Sequence, residues 1–192
     1  MILGLAVVLG LVASLIRHRG RALGQIAALP LHSLWLAGLA LVLQWPLMQA
    51  PGGPIQRVQV QQALFLLSLL LLLIFVWQNR HLIGIRMVGL GVICNLLVIL
   101  ANGGWMPITP QTLAQINPGS VPGQWPTQLH YGHSKDIIVL QEQTRLWGLS
   151  DILVLPWPFQ RPTAFSLGDL LIALGIILLL QGSVAQLPSA RL

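Results

Sequence analysis

Long apolar runs broken by short polar segments predict five membrane-spanning helices. The runs cover residues 2–16, 26–43, 63–77, 82–101 and 167–180. A helix needs roughly 20 apolar residues to cross the hydrocarbon core of a bilayer. The first run is shorter, so its helix would have to tilt less or the bilayer would have to thin locally around it. The expected fold is therefore all-α: a polytopic transmembrane helix bundle of about five spans.

The polar segments divide the chain into three parts. Residues 1–101 contain the first four spans, residues 102–165 form a long polar connection, and residues 166–192 contain the fifth span and a short tail. Only residues 78–81 separate the third and fourth spans, which predicts that these two helices are antiparallel neighbours. The fourth span carries Gly84, Gly89, Gly91 and Asn95, residue types that favour close helix packing and hydrogen bonds between helices.

The connection 102–165, called the cap segment below, is rich in Pro and Trp and is expected to fold. Thr109 followed by Pro110 predicts a helix start, and the helix should end at residues 117–119. A second helix is expected to begin at Ser134 and to run to about Trp147 or Leu155. The spans and the cap segment place five tryptophans on one side, as in an interfacial belt; these are Trp45, Trp105, Trp125, Trp147 and Trp157.

Composition supports a membrane protein and argues against a nucleic-acid partner. Charged residues make up only 7% of the 192 residues, whereas soluble domains carry about a quarter. The ten basic residues exceed the four acidic ones, but they are scattered singly or flank apolar runs. The single cysteine, Cys94, excludes an internal disulfide and a cysteine-based zinc site.

The basic residues also predict an orientation. The first apolar run has no preceding charge, unlike a signal peptide, and is followed by Arg17, Arg19 and Arg21. Positive residues are retained on the cytoplasmic side. We therefore expect the N-terminus outside, the C-terminus inside and the cap segment on the extracytoplasmic face.

All four acidic residues, Asp136, Glu142, Asp151 and Asp169, lie in or just after the cap segment. Carboxylates are costly near a bilayer and tend to be functional there. Asp151 is surrounded by apolar residues, so it needs Lys135 or Arg145 as a partner, or else it is protonated. Asp169 has capping-box spacing from Ser166 and would favour the N-terminus of the last span.

Two further residues are candidates for binding. Asn102 precedes Gly103 and Gly104, which is typical of a helix C-cap but also of a backbone loop that approaches a ligand closely. Arg145 could bind a lipid phosphate or an acidic partner through two hydrogen bonds, or pair with a nearby carboxylate. The binding candidates are thus Asn102, Lys135, Asp136 and Arg145, and the catalytic candidates are Asp151 and Asp169. All six are expected to gather at the outer ends of spans four and five.

No metal site is predicted. His130 and His133 are three residues apart but lack a third ligand, and no motif identifies a cofactor.

Four strings in the cap segment and at the start of the last span carry a resemblance to a known family. They are Asn102–Pro107, Ser134–Asp136, Thr144–Asp151 and Ser166–Asp169. As a set they resemble the DUF5317 family of uncharacterised bacterial integral membrane proteins. The resemblance implies a polytopic membrane fold in the bacterial cytoplasmic membrane and implies no activity.

Two functional hypotheses remain open from the sequence. The first is a non-enzymatic accessory or assembly protein whose outer face binds a lipid headgroup or a membrane protein partner. The second is a membrane-embedded hydrolase or transferase that uses Asp151 and Asp169 as paired acid and base. A transporter fits less well, because the spans contain few ionisable groups. The distance and surroundings of the two carboxylates would discriminate between the first two hypotheses.

Overall fold

The structure is a computed structural model that describes residues 2–18, 22–49, 55–131, 134–155 and 162–181. These residues are mostly helical, and they also form four short strands. The helices are α1 (Ile2–His18), α2 (Ala22–Ala27), α3 (Leu34–Gln49), α4 (Ile55–Gln78), α5 (Ile83–Ala101), α6 (Pro110–Ile116) and α7 (Leu167–Gln181). The strands are β1 (Met106–Ile108), β2 (Asp136–Ile138), β3 (Leu153–Leu155) and β4 (Thr163–Phe165).

The five long helices pack side by side in the order α3, α4, α5, α7, α1. Two helical stretches, Val58–Gln78 and Ile83–Ala101, are long and apolar enough to cross a membrane. Three further helical stretches are apolar but shorter; these are Ile2–Arg17, Leu34–Gln44 and Leu167–Gln181. Two of the runs begin at other residues than predicted, since α4 begins at Ile55 rather than near residue 63. Helix α3 begins at Leu34 rather than near residue 26, because Pro30 lacks an amide hydrogen and restricts the residue before it.

Helices α5 and α7 make the closest contact in the bundle, and glycines allow it. Gly84 faces Gly175, and Gly91 faces Gly168 about two helical turns away, so the two helices run antiparallel. A Cβ atom placed on Gly84 would lie 2.6 Å from the carbonyl oxygen of Gly175. Small residues thus bring the two backbones together, as in membrane helix pairs generally.

The connection between α4 and α5 is short, and its central residue is buried. Asn79 is 0% exposed. Its side-chain amide donates to the carbonyl oxygens of Phe75 and His32, and its Oδ1 accepts from the backbone N–H of His32. The turn is therefore tied to the segment before α3, and α4 and α5 are antiparallel neighbours as predicted.

The first predicted helix of the cap segment is confirmed. Thr109 Oγ1 accepts a hydrogen bond from the backbone N–H of Thr112, and Pro110 occupies the first turn. Helix α6 ends at Ile116, immediately before the expected stop.

The second predicted helix is wrong. Residues that were expected to open it form strand β2, which pairs in parallel with β1 so that Met106 lies opposite Asp136. The run Ile137, Ile138 and Val139 is β-branched, which favours a strand once a partner strand is available. Farther along, residues 141–143 and 147–149 form single 3₁₀ turns, and Leu153–Leu155 pairs with β4.

Apolar contacts fold the cap segment onto the bundle. Ile108, Leu113 and Ile138 are buried together inside the segment. Trp105 stacks on Phe65 of α4 with ring centroids 6.3 Å apart. Trp105 is only 6% exposed, so this tryptophan packs inside the protein.

Some residues of the predicted orientation signal, of the tryptophan belt and of the histidine pair are not described. Arg19, Arg21, Trp157, His133 and the tail 182–192 lie outside the described residues.

Candidate functional site

Lys135 joins two aspartates from different parts of the cap segment. Its Nζ donates to Asp151 Oδ2 at 3.0 Å and to Asp136 Oδ1 at 3.2 Å. The Asp151 side chain is 4% exposed, that of Asp136 14% and that of Lys135 31%. The lysine was one of the two partners considered for Asp151 from the sequence, and the structure selects it over Arg145.

Backbone hydrogen bonds to the first strand place this trio. The N–H of Met106 donates to the carbonyl oxygen of Lys135 at 3.2 Å, next to the paired strands β1 and β2. The N–H of Asp151 donates to the carbonyl oxygen of Pro107 at 3.3 Å. Strand β1 follows directly on the turn that ends α5, so the lysine and its two aspartates are held beside the end of that helix.

Burial governs the electrostatics of Asp151. Loss of solvent raises its pKa, the nearby Lys135 ammonium lowers it, and the other two aspartates raise it again, so the pKa stands at about 7. One oxygen, Oδ1, is buried and has no hydrogen-bond partner among the described residues. An unpartnered buried carboxylate oxygen is costly when charged, which is consistent with a group that takes up a proton near neutral pH.

For Lys135, the neighbouring charges have a larger effect on the pKa than burial does. Burial lowers its pKa, but the attraction of the three surrounding aspartates outweighs this, and the net pKa is raised. Because about a third of its side chain stays exposed, solvent screens part of that attraction. The lysine therefore remains charged at neutral pH.

Asp169 begins helix α7 and is held by hydrogen bonds to neutral groups. Its N–H donates to Ser166 Oγ at 2.9 Å, and the Ser166 N–H points back at its carboxylate at 3.4 Å. This is the capping arrangement predicted from the spacing. Asn95 of α5 donates from Nδ2 to Asp169 Oδ1 at 2.8 Å and accepts from Ser166 Oγ at 2.8 Å.

The sequence placed Asn95 in a packing role, and it proves to be part of this polar group. Asn95 is 6% exposed, and Ser166 is fully buried. A mid-helix asparagine in an apolar run was the available signal, but its partner, 74 residues away, was not predictable. Asp169 also interacts electrostatically with both Lys135 and Asp151, so three aspartates surround one lysine at this end of the bundle.

Asn102 and Arg145 form a second pair, apart from the charged group. Asn102 Oδ1 accepts from the Arg145 N–H at 2.9 Å, and Asn102 Nδ2 donates to the Arg145 carbonyl oxygen at 2.8 Å. The same Nδ2 also donates to Val98, one turn back in α5. Asn102 therefore ends the helix, as predicted, and in addition fixes the backbone of Arg145.

The turn after Asn102 approaches a side chain closely. Gly103 and Gly104 have φ angles of +78° and +88°, which glycine adopts without steric cost. The carbonyl oxygen of Gly103 accepts a hydrogen bond from Gln62 of α4. A Cβ on Gly104 would collide with that glutamine side chain. The glycines thus serve packing against α4.

A cavity of about 150 Å³ lies beside Arg145. Its lining residues are Ala101, Asn102, Gln128, Ile137, Val139, Gln143 and Arg145. Gln128 and Gln143 were not singled out from the sequence, and nothing in their local spacing distinguishes them. Neither catalytic candidate lines this cavity, so the six predicted residues divide between a charged group and a cavity.

The histidine region shows no metal-binding arrangement in the described part of the chain. His130 packs edge-on against Trp105 with centroids 4.4 Å apart, and burial lowers its pKa. Among the described residues, no three His, Cys, Asp or Glu side chains are grouped so as to hold a metal ion.

Comparison with known proteins gives one match. No curated protein matches the chain, and no solved structure matches it. The model of DUF5317, a family of unknown function, matches residues 28–181. That range includes the Asn102–Pro107 turn and strand, the lysine with its aspartates, and the Ser166–Asp169 cap. Because the match covers most of the 192 residues, the chain belongs to the DUF5317 family.

Proposed function

We propose that this chain is a non-enzymatic integral membrane protein whose cap segment binds a lipid or a membrane protein partner. The observation that carries the proposal is the division of the polar residues. The carboxylates of Asp136, Asp151 and Asp169 are engaged within the protein, whereas the guanidinium group of Arg145 makes no hydrogen bond or ion pair with any described residue and lines a cavity. Such an arrangement suits an accessory or assembly role.

The geometry gives the enzyme hypothesis less support. Paired-carboxylate catalysis requires an acid and a base that both reach a substrate. Asp151 faces Lys135, and Asp169 faces Asn95 and its own helix cap. Separate partners of this kind favour a structural role for both carboxylates.

The proposed topology has five spans, with the N-terminus outside, the cap segment on the extracytoplasmic face and the C-terminus inside, in the bacterial cytoplasmic membrane. The two long apolar helices and the three shorter ones support it. Cysteine labelling in a Cys94→Ser background tests it. Gly123→Cys should react with a membrane-impermeant maleimide in intact cells, and His81→Cys only after permeabilisation. The reverse pattern would invert the topology.

Affinity purification from the native membrane tests the function. Lipids and proteins that co-purify with the wild-type chain should be depleted in an Arg145→Gln variant and retained in Asp151→Asn. If Asp151→Asn and Asp169→Asn instead abolish a hydrolase or transferase activity while the binding profile is unchanged, the enzyme hypothesis replaces the proposal.

A further inference from the structure

We propose that the cavity beside Arg145 binds the phosphate oxyanion of an anionic lipid headgroup. This inference rests on the proposed function and names the ligand class of the same face. Four observations support it: a guanidinium without a partner among the described residues, the donors around it, the apolar residues of the cavity lining and the exposed apolar residues next to it.

Arg145 is held in place without being neutralised. Two hydrogen bonds from Asn102 fix its backbone. The two ion pairs of the described residues both belong to Lys135, so no described carboxylate forms an ion pair with the guanidinium. A planar guanidinium presents a fork of N–H donors that matches the oxygens of a phosphate.

The other polar lining residues can add hydrogen bonds. Gln128 and Gln143 line the same cavity, and each carries an amide that can donate. Gln128 has a φ of +64°, and its backbone N–H donates to the carbonyl oxygen of Ile138 at 2.8 Å. Its position is therefore set by strand β2. The lining contains no carboxylate. A bound anion would therefore be attracted by Arg145 and would not be repelled by any lining residue.

The apolar lining suits the part of a lipid next to its phosphate. Ala101, Ile137 and Val139 contribute it, and Ala101 is the last residue of a helix long and apolar enough to cross a membrane. The cavity thus lies where a spanning helix would end, which is the depth of the headgroups.

The residues after Arg145 expose apolar side chains. Leu146 has a φ of +54° and is 51% exposed, and Trp147 is 39% exposed. Positive φ is strained for leucine. The strained turn holds a leucine and a tryptophan at the surface beside a cation. Tryptophan is enriched at the membrane interface, so this arrangement favours a lipid over a free anion or an acidic protein segment.

Native mass spectrometry of the full chain in detergent, titrated with dioleoylphosphatidylglycerol, tests the proposal. The wild type should bind this lipid, and Arg145→Gln should bind it about tenfold more weakly, the effect expected of losing hydrogen bonds to a charged group. Arg145→Lys, which keeps the charge but loses the fork, should fall between them. Glu142→Gln, which removes one neighbouring charge of the opposite sign, should not weaken binding.

Two further probes and a stability measurement separate the alternatives. Dioleoylglycerol, which has the same chains without phosphate, should bind weakly, and millimolar inorganic phosphate should not displace the lipid. The thermal midpoint of Arg145→Gln should equal that of the wild type, because the guanidinium has no described partner.

Any of four results overturns the proposal: equal lipid affinity in Arg145→Gln, equal binding of dioleoylglycerol, displacement by inorganic phosphate, or loss of a co-purifying protein rather than lipid in that variant. The last result would still agree with the proposed function, because the binding partner would then be a membrane protein instead of a lipid. The proposed function itself fails if the native-membrane purification shows no Arg145-dependent lipid or protein.

Discussion

Lys135 donates a 3.0 Å hydrogen bond to Asp151, which lies sixteen residues farther along the chain. The same ammonium group reaches Asp136 at 3.2 Å. One cation therefore joins strand β2 to the segment that precedes β3. This contact fastens the cap segment internally beside the end of α5, and it makes Lys135 the residue on which the charged group depends.

Replacement of Lys135 by methionine should destabilise the fold. The change keeps much of the apolar stem but leaves Asp151 buried without its cation, and breaking a buried pair in this way costs about 3–5 kcal/mol. The loss should be largest near pH 8 and much smaller near pH 5, where Asp151 can be protonated. Unfolding in detergent at the two pH values measures it. An equal loss at both values would contradict the assignment of the cost to Asp151.

Wild-type stability should depend on pH through Asp151. Its pKa rises from 3.8 to about 7 on folding, so the folded state binds more protons than the unfolded state between these values. The stabilising contribution is complete below pH 3.8 and is lost as the pH rises towards 7. The melting temperature should therefore fall between pH 5 and pH 8.

Asp151→Asn is the matched control for this pH dependence. It keeps the shape of the side chain and removes the titrating group, so its melting temperature should change less over the same range. The variant should also remain folded, because Lys135 keeps Asp136 as a partner. A variant with the same pH profile as the wild type would assign the dependence to another group.

The polar contacts that could be predicted are those set by local spacing. Ser166 and Asp169, which form the cap of α7, are only three positions apart in the sequence. Thr109 followed by Pro110 likewise predicts the start of helix α6. The family resemblance, too, was carried by short strings and is confirmed.

Contacts between distant segments could not be predicted. The second helix was expected at Ser134 because a capping residue precedes an acid, but the β-branched run pairs with β1, some 30 residues earlier. The Asn102–Arg145 bonds span 43 residues. The propensities of neighbouring residues do not indicate which distant segment a residue contacts. The pairing with β1 therefore determined that residues 136–138 form a strand rather than a helix.

Asn95→Ala should weaken the contact between α5 and α7. The substitution removes the amide that donates to Asp169 and the oxygen that accepts from Ser166. Loss of these hydrogen bonds at a buried position should cost about 1–3 kcal/mol. A double-mutant cycle with Ser166→Ala measures the coupling; additive losses would show that the observed bond between the two side chains does not contribute.

Gly84→Ala should also loosen this helix pair, for a steric reason. The added Cβ would lie 2.6 Å from the carbonyl oxygen of Gly175 and 2.7 Å from the backbone nitrogen of Leu179. Both contacts are backbone atoms that cannot rotate away, so the helices must separate. Overpacking of this kind costs about 1–3 kcal/mol.

Gly38→Ala supplies the control, because Gly38 lies in α3 and a Cβ there meets nothing within 4 Å. It should leave the midpoint unchanged or raise it, since alanine favours a helix over glycine by about 1 kcal/mol. Unfolding of both variants in the same detergent makes the comparison direct. If the two alanines lower the midpoint equally, the loss reflects substitution of any helix glycine, and the close approach of α5 to α7 is not the cause. A loss confined to Gly84→Ala instead identifies the backbone contact at Gly175 as a determinant of the bundle.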